Sequence, residues 1–142
     1  MNKLMFHHIG IASVDIEREY TYFQVLGYVK EGNSFVDETQ GIKGQFIIAD
    51  GQPRIELLQN LEGSHALDIW LNNKTKMYHL AYYVEDFDKT TESFIHNPGR
   101  MAKIIVPAKM SVYFGSRIVF LMLPNMSIIE LIEAPILISQ GE

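Results

Sequence analysis

The sequence predicts an α+β fold made of two tandem copies of one βαβββ module. The main observation is internal repetition, because the chain of 142 residues matches itself when it is shifted so that His8 falls on His79. The coinciding pairs are His8 with His79, Ile9 with Leu80, Gly10 with Ala81, Asp15 with Asp86, Ile16 with Phe87 and Phe23 with Phe94. These matches occur in the same order and in the same chemical classes, which indicates a duplicated unit. The second observation is that each copy changes from strand-like to helix-like and back to strand-like spacing.

The first copy opens with a predicted strand over residues 6–13. Its alternation places His8 on a face that it shares with the small residues Gly10 and Ala12. Asp15 then provides an N-cap for a helix with apolar residues at helical spacing. Three more strands follow, and they are predicted over residues 28–38, 43–50 and 53–59.

The second copy repeats this order from a strand that places His79 and Ala81 on one face. Asp86 is the predicted N-cap of its helix. Later strands are predicted near residues 102–106, 117–123 and 127–133. Residues 60–76 join the two copies, and Ser64 is predicted to cap a short helix there.

The length fits a single domain over residues 1–142, with modules at about residues 1–62 and 74–136. No apolar run approaches the ~20 residues that span a bilayer, and the first residues lack the stages of a secretory signal. We therefore expect a cytoplasmic protein without membrane contact.

Charge and composition exclude several functions. The net charge is −5 and no lysine or arginine cluster occurs, which argues against nucleic-acid binding. The chain has no cysteine, so disulfides, thiolate nucleophiles and thiolate metal sites are excluded. Any metal ligand must therefore be a histidine, a carboxylate or water.

Each copy carries a histidine and, about fifty residues later, a glutamate inside an apolar strand. The pairs are His8 with Glu56 and His79 with Glu130. A lone carboxylate among branched apolar side chains is costly to bury unless something compensates its charge. Two such carboxylates, each with a histidine at the same relative position, predict one divalent metal ion held by four side chains. The alternative for Glu56 is an ordinary buried salt bridge.

These motifs resemble the vicinal oxygen chelate superfamily, which holds glyoxalase I, methylmalonyl-CoA epimerase, extradiol dioxygenases and antibiotic-resistance proteins. The resemblance covers about residues 5–134 and is closest to the epimerase-like branch. Its motifs here are His8-Ile-Gly-Ile-Ala, Val25-Leu-Gly-Tyr, Arg54-Ile-Glu-Leu-Leu, His79-Leu-Ala-Tyr-Tyr-Val-Glu-Asp, Arg117-Ile-Val-Phe-Leu and Ile129-Glu-Leu-Ile-Glu. The family implies a curled mixed sheet around a metal-binding cleft. Its ligand positions match His8, Glu56, His79 and Glu130, which would hold one Co, Ni, Zn or Mn ion.

The resemblance implies a metal-dependent isomerase or epimerase that removes a proton next to a thioester carbonyl, with Glu130 and Glu56 as catalytic residues. The small-molecule substrate would be an acyl-CoA or another thioester. Many epimerases have glutamine where this chain has Glu56, and glyoxalase I more often has glutamate, so a lactoylglutathione lyase is the alternative. A ligand-sequestering resistance protein without catalysis is a third possibility. Epimerases can carry a further acid near the position of Gly44-Gln45, where this chain has none.

Three other residues are candidates for substrate contact. Arg117 and Lys109 are suited to a substrate carboxylate or phosphate, although a solvated surface role is equally compatible with the sequence. Tyr113 belongs to a loop that we expect to lie over the cleft. Glu133 alternates away from Glu130. Superfamily members are often homodimers, and open edge strands in each module favour a homodimer here as well.

Overall fold

The computed structural model describes residues 3–135, so the predicted start of the first module at residue 1 and the predicted end of the second at residue 136 lie outside it. Within the described range the first βαβββ module consists of β1 (Leu4–Ala12), α1 (Ile16–Gln24), β2 (Val29–Asp37), β3 (Ile42–Ile48) and β4 (Ile55–Asn60). A short helix, α2 (Asp68–Asn72), follows it. The second module consists of β5 (Met77–Val84), α3 (Phe87–His96), β6 (Lys103–Met110), β7 (Arg117–Met122) and β8 (Ile128–Glu133).

The strands form one eight-stranded sheet in the order β2-β3-β4-β1-β5-β8-β7-β6. The sheet is mixed, because β1 pairs with β4 and β5 pairs with β8 in parallel, while the outer strands of each module pair antiparallel. The predicted α+β class and the duplicated βαβββ order are confirmed.

Residues 8–78 form one compact unit, in which α1 packs against one face of its strands. Asp15 caps α1, since its Oδ1 accepts hydrogen bonds from the amides of Glu17 and Arg18 at 3.0 and 3.4 Å. The core beneath α1 consists of Ile11, Ile16, Tyr28, Ile47, Ile55 and Leu57. The opposite face carries a second cluster formed by Ala12, Ile42, Leu58 and Leu67.

The other compact unit contains residues 79–135 together with residues 3–7 of the described chain. Asp86 caps α3 by accepting a hydrogen bond from the Lys89 amide at 3.0 Å. Below α3 lies a core of Val84, Phe87, Phe94, Ala102, Val119, Leu121, Ile129 and Leu131. In both units the helix therefore covers one sheet face and leaves the alternate residues, including the predicted ligands, on the other face.

Two sequence predictions need correction. The linker helix begins at Asp68 rather than at Ser64, whose hydroxyl accepts only a local hydrogen bond from the Ala66 amide at 3.2 Å. Strand β6 continues to Met110 instead of ending near residue 106. It contains Pro107, which is tolerated because β6 is an edge strand and its register against β7 shifts at two places.

Among residues 3–135, no helix combines the length and the apolar character that crossing a membrane requires.

Candidate metal centre

The first unit brings His8 and Glu56 together through strand register. Glu56 on β4 is the parallel partner of Gly10 on β1, so it lies on the face of the sheet that also carries His8. The Nε2 atom of His8 is 3.0 Å from Oε1 of Glu56. Both residues are buried, at 0% and 7% exposure, so this carboxylate is removed from bulk water.

The second unit repeats this arrangement with His79 and Glu130. Glu130 on β8 is the parallel partner of Ala81 on β5, two residues after His79. The Nε2 atom of His79 is 3.3 Å from Oε1 of Glu130, and both residues are buried. The small residues at positions 10 and 81 therefore lie beside the two carboxylates in the same register.

Each histidine also contacts a phenylalanine that lies two strands away in the sheet. Phe46 is the antiparallel partner of Glu56, and Phe120 is the antiparallel partner of Glu130. The ring of Phe46 meets that of His8 edge to face, with centroids 5.0 Å apart, and Phe120 meets His79 in the same way at 5.2 Å. These contacts restrict the orientation of the imidazoles and exclude water from one side of them.

His8, Glu56, His79 and Glu130 together form a buried group in which one potential ligand atom from each residue lies within 4.8 Å of the others. Ligands placed 2.0–2.2 Å from a common ion are roughly 3 to 4.4 Å apart, so only a small contraction would complete a coordination sphere. Two buried carboxylates at such a distance repel each other unless a positive charge neutralises them. Two imidazole nitrogens and two carboxylate oxygens suit a divalent transition metal. The donor set therefore fits a metal ion, and its geometry does not select a particular element.

Arg117 is held on the opposite side of its unit from Glu130. Its guanidinium bonds Glu133 at 2.9 Å and Asp88 at 2.9 Å, and it lies over the ring of Phe87 at 4.6 Å. These hydrogen bonds raise the pKa of Arg117 above its usual value, and the bonds from Arg117 lower the pKa of the Glu133 carboxyl. This network holds Arg117 on the face that carries α3. Arg117 is therefore not placed among the residues that contact substrate.

Lys109 and Tyr113 remain predicted substrate residues. Lys109 is the partner of Ile118 on β7, and alternation places it on the sheet face of Glu130. Tyr113 lies in the turn between β6 and β7, is 40% exposed and meets Phe114 edge to face at 5.0 Å.

At the position of the further epimerase acid this chain has Gly44 and Gln45, neither of which carries a carboxylate. Gly44 is covered by the ring of Phe35, its partner on β2. Gln45 lies on the face opposite Glu56, where its Nε2 donates to the carbonyl oxygens of Gly32 and Phe46 at 3.1 and 2.9 Å. Neither residue can provide a base beside Glu56.

The sequence did not predict one charged pair on the sheet face that carries Glu56. Arg54 binds Glu31, with 2.9 Å between Nε and Oε1 and 3.3 Å between Nη2 and Oε2. The two residues are 23 positions apart, with Glu31 on β2 and Arg54 immediately before β4, so only the register of β2, β3 and β4 brings them together. A pattern within single strands carries no signal for this contact.

A family model described as the glyoxalase/bleomycin resistance protein/dioxygenase superfamily matches residues 7–114. This range contains three of the four clustered residues, and Glu130 follows it. Among curated proteins, none matches the chain significantly.

Several solved structures are similar over nearly the whole chain. Methylmalonyl-CoA epimerase from Mycobacterium tuberculosis is 25% identical, with 95% of this chain and 91% of that chain covered and a TM-score of 0.73. A hypothetical protein from Bacillus halodurans is also 25% identical, with 94% and 95% covered and a TM-score of 0.75. A variant of Streptomyces coelicolor methylmalonyl-CoA epimerase in complex with 2-nitronate-propionyl-CoA is 24% identical, with 93% and 99% covered and a TM-score of 0.72.

Proposed function

Since this chain belongs to the glyoxalase/bleomycin resistance protein/dioxygenase superfamily, we propose that it is a metal-dependent isomerase or epimerase acting next to a thioester carbonyl. The observation that carries this proposal is the buried group of two histidines and two glutamates. Two of the similar structures are methylmalonyl-CoA epimerases, and one of these holds a propionyl-CoA analogue, which supports an acyl-CoA as substrate.

His8, Glu56, His79 and Glu130 would hold one divalent ion, for which Co, Ni, Zn and Mn are suitable. When bound, the ion would supply Lewis-acid stabilisation of the negative charge that develops on the substrate carbonyl oxygen. The two glutamates balance its charge, because two carboxylates carry −2 and neutral imidazoles carry none. The phenylalanines beside the histidines keep the imidazole nitrogens in place and limit the access of water.

Glu130 and Glu56 are the proposed bases. One carboxylate oxygen takes the proton from the carbon next to the thioester carbonyl, and the other carboxylate returns a proton to the opposite face. Glu56 and Glu130 occupy equivalent register positions in their modules, which supports giving them equivalent roles. Return of the proton to the opposite face inverts the configuration at that carbon.

A lactoylglutathione lyase of the glyoxalase I type is the second candidate. It is favoured by glutamate rather than glutamine at position 56 and by the lack of an acid at Gly44 and Gln45. In such a lyase, the same clustered carboxylates would be the only bases. They would move a proton between neighbouring carbons of a hemithioacetal. A ligand-sequestering protein is the candidate from a different class, and the intact donor set makes it the weaker alternative.

Metal analysis and isotope exchange test these candidates in sequence. Protein purified without chelator should contain about one ion per chain, and incubation with acyl-CoA thioesters in heavy water should exchange the C2 proton for deuterium. Failure to bind added nickel, cobalt, manganese or zinc would contradict the metal site and favour sequestration. Turnover of a hemithioacetal without exchange in any acyl-CoA would replace the epimerase by the lyase.

We also propose that the protein forms a homodimer. The edge strands of the sheet expose large apolar side chains, namely Val29 and Val36 on β2 and Ile104 and Met110 on β6. Edge strands with such side chains favour pairing with another chain. Sedimentation equilibrium should give twice the chain mass of 16.3 kDa, and a single-chain mass at all concentrations would contradict the dimer.

A further inference from the structure

The first unit carries a charged pair on the sheet face that bears Glu56. Glu31 on β2 is the partner of Phe46, and Phe46 is the partner of Glu56, so the side chains of all three lie on one face. Arg54 lies two residues before Glu56, and its carbonyl is fixed by the amide of Ile9 at 3.0 Å. Its guanidinium reaches Glu31 across β3 and forms two hydrogen bonds with the carboxylate.

The duplicated module provides an internal comparison for this pair. In the second unit Val106 is the partner of Phe120, so it corresponds to Glu31. Ile128 lies two residues before Glu130, so it corresponds to Arg54, and it is buried at 5% exposure. The two equivalent positions are therefore apolar in the second module and form an ion pair in the first.

This difference indicates that the fold does not require the ion pair. A partly exposed arginine–glutamate pair contributes little to stability, because desolvation and lost side-chain freedom offset most of the attraction. Its side chains are 34% and 31% exposed, so a ligand arriving from solvent can reach them. Recognition of a ligand explains the presence of a charged pair that contributes little to stability.

We propose that Arg54, positioned by Glu31, binds an anionic group of the thioester substrate and determines specificity for it. A guanidinium presents five N–H donors along two edges; Glu31 engages Nε and Nη2 on one edge, and the Nη1/Nη2 edge matches a carboxylate or a phosphate oxygen pair. Glu31 fixes the fork before the substrate arrives, and this reduces the entropy lost on binding. The inference rests on the proposed function, and it makes Arg54 a binding residue and Glu31 a positioning residue.

Isothermal titration calorimetry tests this role by measuring the dissociation constants of three thioester probes for the metal-loaded protein. Succinyl-CoA and butyryl-CoA differ in one carboxylate, and butyryl-pantetheine lacks the phosphates of butyryl-CoA. Arg54→Met should raise the dissociation constant about 10- to 100-fold for the probe whose anion it binds. A loss confined to succinyl-CoA assigns Arg54 to the acyl carboxylate, and an equal loss for both CoA esters assigns it to a carrier phosphate.

Matched variants separate recognition from folding. Arg117→Met removes a comparable ion pair from the opposite face and should leave all three dissociation constants unchanged. Arg54→Lys keeps the charge without the fork and should give an intermediate loss, as should Glu31→Gln, which keeps the arginine without its positioning partner. Arg54→Lys also serves as the test variant if Arg54→Met does not fold.

The outcomes distinguish this inference from the proposed function. Unchanged dissociation constants for every probe in the Arg54 variants would overturn the inference, even if C2 exchange in butyryl-CoA continued. Loss of affinity for an anionic probe, with exchange in the uncharged acyl group retained, would support both. If the wild-type protein bound none of the probes, the inference and the thioester function would both be wrong.

Discussion

The phenyl ring of Phe35 lies over Gly44 on the face of the sheet that carries Glu56. A Cβ atom at residue 44 would lie 2.7 Å from Cε1 and 2.9 Å from Cε2 of this ring, so the glycine is required for close packing. Phe35 stacks on Phe46 with centroids 6.1 Å apart, and Phe46 meets His8. An aromatic surface therefore extends from the edge strand to the first imidazole.

Substitution of Gly44 tests this packing. Gly44→Ala should lower the free energy of unfolding by about 1 to 3 kcal/mol, because the methyl group overlaps the ring of Phe35. Urea unfolding measures the change. Gly99→Ala is the matched control, since its nearest contact would be Asn97 Oδ1 at 3.4 Å and little change is expected. A Gly44→Ala protein as stable as the wild type would contradict the close contact.

Glu130→Gln tests the proposed base. The substitution keeps the size of the side chain and removes its charge, so C2 exchange should be lost while the circular dichroism spectrum is retained. Glu133→Gln is the control, because Glu133 lies on the same strand but binds Arg117 on the other face. We expect its exchange rate to match that of the wild type. Full activity of Glu130→Gln would exclude the proposed role.

Removal of the metal should destabilise the protein, because it leaves two neighbouring buried carboxylates without a neutralising charge. With the ion at about 100 times its dissociation constant, a chelator should lower the melting temperature by about 5 to 10 °C. The double variant Glu56→Gln/Glu130→Gln should respond little to the chelator, since it lacks both carboxylate charges and much of the affinity for the metal ion. An identical response of the two proteins in differential scanning calorimetry would argue against the site.

The ion pair of Glu133 and Arg117 predicts a pH dependence of stability. Hydrogen bonds from Arg117 lower the pKa of Glu133 in the folded state. The contribution of this pair is therefore complete above the unfolded-state pKa of about 4.3 and disappears as the pH falls through the lower folded-state pKa. Glu133→Gln should melt about 1 to 3 °C below the wild type at pH 7, and this difference should vanish in strong acid.

Thermal melts of both proteins between pH 2 and pH 7 measure this dependence. Glu92→Gln is a suitable control, since the side chain of Glu92 is 68% exposed beside His96 and its loss should have little effect. A difference between wild type and Glu133→Gln that stayed constant down to pH 2 would show that the carboxylate charge is not responsible.

The repetition in the sequence predicted the parts of the structure that both copies share. His8 and His79 were identified because each begins its module on a face with small residues, and Glu56 and Glu130 because charge is rare in an apolar strand. Asp15 and Asp86 were recognised as caps from their positions before apolar residues at helical spacing, and both accept the expected amide hydrogen bonds.

The sequence did not predict what depends on pairing between strands or on local competition for hydrogen bonds. The register of β2 brings Arg54 into contact with Glu31 and places the Phe35 ring over Gly44. Alternation within one strand does not determine that register. The start of α2 was misplaced because Asn60, outside the helix, accepts a hydrogen bond from the Leu67 amide at 2.8 Å and thereby positions the first turn.

The duplication of the βαβββ module within one polypeptide has an evolutionary consequence. Two identical half-length chains would acquire every substitution twice, so a new charge near one glutamate would also appear near the other. In a fused gene the codon for Arg54 can change while the codon for Ile128 stays the same. One copy can then acquire a charged pair beside its glutamate, while the other keeps apolar residues at the equivalent positions.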